Sequence, residues 1–136
     1  SYNASPVSMR AAFETLANAE PGPGGRRIAV LGDMLELGSS ARAMHVELMP
    51  HLVAAGVDLV FAAGPLMAAL YDALPLEMQA GHEANSRALT PRVLAALKSG
   101  DVVVVKGSFA SRMGAIGDAL LLNSAPMNGA GRAVNG

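Results

Sequence analysis

The sequence contains no cysteine, few aromatic residues and little charge, and each shortage excludes a class of function. Without cysteine there can be no disulfide framework, no thiolate nucleophile and no zinc–thiolate site. Two tyrosines and three phenylalanines offer no platform on which nucleobases could stack. A formal net charge of −1 gives no electrostatic attraction to nucleic acid or to an anionic membrane.

Membrane-spanning segments, secretory segments and phosphate-binding loops are missing as well. No uncharged apolar run is long enough to span a bilayer, and no charged segment followed by an apolar one marks a signal peptide. Neither G-x-x-x-x-G-K-[ST] nor G-x-G-x-x-G follows a strand, and no Ser-His-Asp arrangement is visible. We therefore expect a soluble cytoplasmic domain without nucleic-acid or membrane partners and without a metal site, which cannot act alone as an NTPase or dehydrogenase.

The chain does have enough apolar material for one domain with a core of its own. Of its 136 residues, 51% are hydrophobic and 15% are charged, as in globular proteins. We expect the domain to span residues 1–122 and a mobile tail to follow at 123–136, where periodicity is lost. No Met precedes Ser1 and a helix already starts at Ser5-Pro6, so the chain is expected to be a piece of a longer protein.

Apolar periodicity and chain-breaking residues divide the chain into alternating helices and strands. Short apolar runs predict buried strands at 28–31, 59–63 and 102–105, with a weaker one within 78–84. Helical spacing and capping signals predict helices that start at Ser5-Pro6, Ala41, Gly64-Pro65, Thr90-Pro91 and Met113, the second of them interrupted at Pro50. Strands that are apolar throughout and separated by helices indicate an α/β fold. Specifically, they predict a Rossmann-like, doubly wound, mainly parallel sheet with helices on both faces.

Polar residues follow three of the predicted strands directly, at the edge where such sheets bind ligands. These segments are Gly32–Glu36, Gly64-Pro65 and Lys106–Ser108. Lys106 and Ser108, with Arg112 beyond them, could hold a carboxylate or a phosphate, because the free N–H groups of a helix N-terminus favour an anion. Alternatively, Lys106 pairs with Asp33 across adjacent strand ends.

Three residues near the first strand end have both a functional and a structural interpretation. Asp33 and Glu36 could hold an ammonium group, or a metal ion through water, but they converge only if residues 33–36 form a helical turn. Otherwise both acids are loop caps. His45 borders the apolar stripe of the next helix, so it could reach the same edge or be a hydrogen-bonded packing residue. His51 and His82 have no partner spacing and are expected at the surface.

Taken together, these segments resemble the C-terminal domain of the Mur ligases, which build the peptide of peptidoglycan precursors. The stretch YNASPVSM at 2–9 is similar to the YNANPxSM signature that opens this domain. RIAVLGDMLELG (27–38), His45, Gly64-Pro65-Leu66, GDVVVVKGS (100–108) and SRM (111–113) follow in family order. The resemblance covers nearly all of residues 2–122 and is most specific for the branch that adds D-alanyl-D-alanine.

The resemblance implies a three-domain enzyme that joins D-alanyl-D-alanine to UDP-N-acetylmuramoyl-tripeptide while hydrolysing ATP. The tripeptide carboxylate is activated as an acyl phosphate, which the dipeptide amine attacks. The phosphate-binding loop and the magnesium ligands belong to the central domain. ATP and Mg²⁺ are therefore expected as cofactors of the full-length enzyme and not of this domain alone. The C-terminal domain would close over the nucleotide, present the dipeptide and exclude water from the acyl phosphate.

The resemblance also suggests roles for individual residues. Tyr2, Asn3 and Pro6 match the opening motif, which lies near the nucleotide. The expected catalytic residues are Asp33, His45 and Lys106, and the expected substrate-binding residues are Glu36, Lys106, Ser108 and Arg112. Asp33, with Glu36 or His45, would orient the incoming ammonium or accept its proton, because only the neutral amine attacks.

Two positions depart from the family pattern. Ser5 stands where Asn is expected and still provides a helix cap. Phe109-Ala110 follows the Lys-Gly-Ser block, where a bulky Phe could reshape the dipeptide pocket.

Two other functions stay open from the residues alone. One is a stand-alone Rossmann-like module that binds a nucleotide or small anion, and the missing glycine fingerprint argues against it. The other is a purely structural interaction domain, which would leave the polar residues at the strand ends unexplained.

Overall fold

Helices and strands alternate along the chain in the computed structural model, which describes residues 4–108, 112–117 and 132–134. The helices are α1 (Pro6–Asn18), α2 (Ala41–Val46), α3 (Met49–Ala54), α4 (Met67–Ala73) and α5 (Ser86–Ala96), and residues 113–117 are also helical. The strands are β1 (Arg27–Gly32), β2 (Leu59–Ala63), β3 (Gln79–Glu83), β4 (Val102–Lys106) and β5 (Arg132–Val134). Within these ranges, none of the helices has the length and apolar character needed to cross a bilayer.

The five strands form one parallel sheet in the order β3-β2-β1-β4-β5. Strand β1 lies at its centre, with Ile28 opposite Leu59 of β2 and Val103 of β4. The chain adds β2 and β3 on one side of β1, and α5 then leads it back to place β4 on the other side. The order of strands therefore reverses between β1 and β4, whose carboxyl ends form the usual ligand-binding point of such a sheet. The predicted parallel, Rossmann-like fold is confirmed.

Helices cover both faces of the sheet, because successive side chains of a strand point to opposite sides. On one face, Ala29 and Leu31 of β1 belong to a core that includes residues of α1, α3 and α4. On the other face, Ile28 and Val30 pack in a core with residues of α5 and the helical segment 113–117. Strands buried on both faces consist of continuous apolar residues, which explains why their positions could be predicted from the sequence.

Local signals set the boundaries of the first three helices. Ser5 and Ser8 form a reciprocal cap on α1, in which the Ser8 N–H donates to Ser5 Oγ at 3.1 Å and the Ser5 N–H donates to Ser8 Oγ at 2.8 Å. Pro50 separates α2 from α3, as predicted. It lies in the first turn of α3, where the missing N–H of proline has no helical partner to lose.

Helix α5 and strand β5 differ from the elements predicted. Helix α5 starts one turn before Thr90, because the Asn85 side chain caps it by accepting the Ala88 N–H at 2.9 Å. Pro91 consequently lies inside the helix. Strand β5 lies in the segment predicted as a mobile tail and pairs with β4 through its backbone. Three residues are too few to show a periodicity in the sequence. The rest of the predicted tail at 123–136 lies outside the described residues.

An ion pair joins the chain before β1 to the chain before β4 at the amino edge of the sheet. The buried Asp101 carboxylate accepts from Arg26 Nη2 at 2.7 Å, from Arg26 Nε at 3.1 Å and from the Arg26 backbone N–H at 2.9 Å. Burial alone would raise the pKa of Asp101, but hydrogen bonds from Arg26 and from the Lys98 N–H lower it below its usual value. The hydrogen bond to Asp101 also raises the pKa of Arg26.

We expect Asp101→Asn to lower the free energy of unfolding of this chain by about 3 kcal/mol at pH 7, because the Arg26 guanidinium loses its buried partner. The carboxylate stabilises the fold only while it is ionised, and its pKa is lowered in the folded state. The difference in free energy of unfolding between parent and variant should therefore shrink as the pH falls below about 4, the ordinary pKa of aspartate. Urea denaturation of parent and variant at pH 7 and pH 3 measures both effects.

Asp58→Asn is the matched control for this prediction. Asp58 accepts the Arg27 N–H at 2.8 Å at the same edge of the sheet, but its side chain is exposed. Its replacement should cause a much smaller loss of stability, and equal losses in the two variants would contradict the role given to the Arg26–Asp101 ion pair, in which only Asp101 is fully buried.

Candidate functional site

The segments that follow β1, β2 and β3 meet at the carboxyl edge of the sheet and line an open cleft of about 630 Å³. The first turn of α5 and Arg112 complete its wall. The polar and glycine residues of that wall are Asp33, Gly64, Asn85, Ser86, Arg87 and Arg112. The structure thus brings together two residues expected at the site, Asp33 and Arg112, with the glycine that follows β2.

Asp33 joins the end of β1 to the start of α4. Its Oδ1 accepts the Met67 N–H at 2.7 Å and its Oδ2 accepts the Leu66 N–H at 3.2 Å, so the carboxylate satisfies two of the free amides at the helix N-terminus. The residue is 5% exposed. Gly64 makes this contact possible, because a Cβ at that position would overlap the Asp33 carboxylate. Gly64 also has a φ of 108°, which disfavours other residues.

The turn after β1 is bound to the end of β4 through Ser108. The Leu35 N–H donates to Ser108 Oγ at 2.9 Å, and the Ser108 N–H donates to the Asp33 carbonyl oxygen at 3.1 Å. Ser108 is 6% exposed and does not line the cleft. Its observed contacts hold the turn in place, and the direct binding of a carboxylate expected from the sequence stays a prediction.

His45 lies in the interior of the fold and does not reach the cleft. Its exposure is 0%; Nδ1 lies 2.6 Å from the Ala41 carbonyl oxygen, and Nε2 lies 3.0 Å from the Met34 backbone nitrogen. A carbonyl only accepts and an N–H only donates, so Nδ1 carries the hydrogen and Nε2 accepts the Met34 N–H. With both ring nitrogens occupied, the residue matches the packing interpretation and not that of a proton acceptor for the substrate.

Lys106 occupies the last position of β4, opposite Leu31 in the register with β1. The residue is 5% exposed, and burial lowers the pKa of its ammonium group. It lies at the point where strand order reverses, but it does not line the cleft. Its expected role near the reacting groups therefore stays a prediction.

Glu36 does not share a helical turn with Asp33. Residues 33–36 do not form a helical turn, and Glu36 has a φ of 63° with an exposed side chain. The two carboxylates therefore do not converge, which removes the condition for a joint ammonium or metal site. In the described part of the chain, no three His, Asp or Glu side chains are grouped so that they could hold a metal ion.

The opening motif is described only in part. Pro6 is the first residue of α1, behind the Ser5 cap, whereas Tyr2 and Asn3 lie outside the described residues. The substituted pair Phe109-Ala110 also lies outside them, so its predicted effect on the dipeptide pocket stays a prediction.

The sequence analysis missed Asn85 and Arg87 in the wall of the cleft, and His82, which contacts the backbone of Gly64 in that wall. Asn85 and Arg87 come to the wall because α5 begins earlier than the Thr90-Pro91 pair suggests. His82 is half-buried and not a simple surface residue, since its Nε2–H donates to the Gly64 carbonyl oxygen at 2.7 Å. The Asn-Ser pair that precedes the apolar spacing of Leu89 and Val93 is the capping signal that could have identified the helix start.

In the described part of the chain, two cationic side chains line the cleft. Arg87 and Arg112 are both exposed, and neither guanidinium pairs with a carboxylate among the described residues. Arg112 has a φ of 58°, an uncommon conformation for a residue with a side chain. An anion in the cleft would therefore meet guanidinium groups on α5 and before segment 113–117.

Comparison with known proteins gives a consistent assignment. The family described as "Mur ligase, glutamate ligase domain" matches residues 1–109. The UDP-N-acetylmuramoyl-tripeptide–D-alanyl-D-alanine ligase of Rickettsia prowazekii is 33% identical over 79% of this chain and 23% of its own length. The ligase of the same name from Escherichia coli is 36% identical over 83% of the chain and 24% of its own length. The chain thus spans about a quarter of the length of these curated relatives.

Solved structures agree with the sequence relatives. MurF from Acinetobacter baumannii superimposes with a TM-score of 0.72 and 25% identity, over 90% of this chain and 26% of its own. MurF ligase from Thermotoga maritima, solved in complex with ADP, gives a TM-score of 0.69 and 27% identity over 87% of this chain and 26% of its own. The fold, the polar strand ends and these likenesses lead to one conclusion: the chain belongs to the Mur ligase family and corresponds to its C-terminal domain.

Proposed function

We propose that this chain is the C-terminal domain of a cytoplasmic ligase that adds D-alanyl-D-alanine to UDP-N-acetylmuramoyl-tripeptide at the expense of ATP, with β5 extending the sheet beyond the expected boundary at residue 122. The observation that carries the proposal is the match to ligases of that name over 79% and 83% of the chain. The cleft at the carboxyl edge of the sheet supports it, because a parallel sheet of this kind binds ligands there. The N-terminal and central domains of the same polypeptide are the partners of this domain.

The cleft residues fit the two ends of a dipeptide. Arg112 and Arg87 would bind the dipeptide carboxylate, since a guanidinium presents a planar set of donors that matches a carboxylate. The Asp33 oxygens accept one N–H each from α4 and keep further lone pairs, so Asp33 would orient the dipeptide ammonium. Glu36 would support the turn.

The remaining chemistry needs the other domains of the enzyme. ATP supplies the phosphoryl group that converts the tripeptide carboxylate into an acyl phosphate, and the described residues include no set suited to Mg²⁺. We therefore assign Mg²⁺ and most contacts to ATP to the central domain, with Tyr2, Asn3 and Pro6 near the nucleotide. Lys106, at the β4 end, would stabilise negative charge on the phosphoryl group. Closure of this domain would bring the dipeptide amine to the acyl carbon and exclude water from it.

This chain alone should show no ATP-dependent ligation, because it contains no phosphate-binding glycine loop. The measurement is phosphate release and product formation with D-alanyl-D-alanine and UDP-N-acetylmuramoyl-tripeptide. The control is the three-domain enzyme that contains this chain, assayed in parallel. Turnover by the isolated chain, or failure of the three-domain enzyme to use D-alanyl-D-alanine, would refute the proposal.

Arg87→Ala and Arg112→Gly in the three-domain enzyme should each raise KM for D-alanyl-D-alanine about 10-fold or more, the effect of losing a hydrogen bond to a charged group. Glycine is chosen at 112 because it accepts the φ of 58° without strain. The parent should strongly prefer the dipeptide to its C-terminal amide, and both variants should lose much of that preference.

Arg92→Ala is the matched control, because Arg92 lies on the same helix as Arg87. Its guanidinium pairs with Glu83 at 2.8 Å with both side chains partly exposed, and it does not line the cleft. Such a pair contributes little to stability. An unchanged preference for the free carboxylate in the Arg87 and Arg112 variants would remove these residues from the carboxylate site.

Lys106→Ala should lower kcat/KM of the three-domain enzyme about 10-fold or more, because a positive charge is lost where negative charge develops. Lys98→Ala is the control, since Lys98 is exposed and lies before β4, at the opposite end of the strand. If kcat/KM of the Lys106 variant equals that of the control, Lys106 has no part in the reaction.

A further inference from the structure

We propose that His45 is a positioning residue for the cleft: it fixes the peptide unit of Met34 and, through it, the neighbouring Asp33 and Leu35. The proposal rests on the function proposed above for the cleft. It replaces the expectation that His45 takes a proton from the substrate.

The ring of His45 can make only one pair of hydrogen bonds in this environment. Nδ1–H donates to the Ala41 carbonyl oxygen within α2, which fixes the orientation of the ring. Nε2 is left as an acceptor and receives the Met34 N–H at 3.0 Å. Because the residue is fully buried, no water can replace either partner. The contact thus joins α2 to the turn after β1 through one directional bond.

Three successive residues of this turn are each held by a different element. The Asp33 carboxylate accepts amides of α4, the Met34 N–H donates to His45 of α2, and the Leu35 N–H donates to Ser108 after β4. The bond from Met34 to His45 is the middle one of the three contacts. Asp33 and Leu35, which flank Met34 in the sequence, both line the cleft.

Loss of the acceptor at position 45 has a definite consequence. The buried Met34 N–H would be left without a partner, and the peptide unit would have to rotate or shift to find one. Such a movement changes the direction of the two adjoining residues in the cleft. The binding of D-alanyl-D-alanine would suffer, whereas UDP-N-acetylmuramoyl-tripeptide, held by the other domains, would bind as before. A misplacement of about 1 Å can cost 100-fold in rate.

Two conservative variants separate the two hydrogen bonds of His45. His45→Gln can place its Oε1 near the position of Nε2 and accept the Met34 N–H, whereas His45→Asn can place its Nδ2 near Nδ1 and donate to Ala41. In the three-domain enzyme, His45→Asn should raise KM for D-alanyl-D-alanine about 10-fold or more and leave KM for the UDP-tripeptide unchanged. His45→Gln should recover most of the loss. His51→Gln, an exposed position on α3, is the control.

Amide hydrogen exchange on this chain gives the second readout. Met34 and Leu35 amides should exchange faster in His45→Asn than in the parent, and at nearly the parent rate in His45→Gln. If the two variants have the same KM for D-alanyl-D-alanine and the same amide exchange rates, the proposal is overturned. His45 would then act only through its bond within α2 or through the volume that its side chain fills. If the parent enzyme does not ligate D-alanyl-D-alanine, the proposed function fails, while the exchange rates still decide whether His45 holds the turn.

Discussion

The contact between the Asp33 carboxylate and the first amides of α4 is the constraint on which the cleft depends. Strand β1 lies at the centre of the sheet and α4 follows its neighbour β2, so this contact joins the ends of two adjacent strands. It satisfies helix amides that would otherwise be buried without partners, and it holds the carboxylate at the wall of the cleft. Gly64 must be a glycine for the two elements to approach so closely.

The residues around this contact divide into those that face the cleft and those that hold its wall. Asp33, Arg87 and Arg112 line the space available to a ligand. Ser108 and His45 bind the backbone of the turn after β1, and His82 binds the carbonyl oxygen of Gly64. The polar side chains of the second group therefore form hydrogen bonds with the protein backbone, and these bonds hold the wall of the cleft in place. Sites of this kind are accurate because the supporting bonds leave few alternative conformations.

The sheet could be predicted from the sequence because its strands are buried on both faces and separated by helices, as at Ile28–Leu31 and Val102–Val105. The same topology also predicted that the cleft lies at the carboxyl edge of the sheet. Asp33 and Arg112 were expected at the cleft and do line it. The role of His45 could not be predicted, since its position on the border of an apolar stripe does not reveal its hydrogen-bond partners. Arg87 was missed for another reason: the signal of Pro91 suggested a helix start, and the Asn85 cap that precedes it was the stronger determinant.

The Arg26–Asp101 pair lies at the amino edge of the sheet, and the cleft lies at the carboxyl edge. A strand of five residues separates them, which is roughly 17 Å. The opposite charges of the pair lie 2.7 Å apart, so their fields largely cancel at the distance of the cleft. Substitutions that tune the stability of the fold at one edge can therefore accumulate with little electrostatic effect on ligands at the other. The two edges give the domain separate surfaces on which thermal adaptation and substrate specificity can evolve independently.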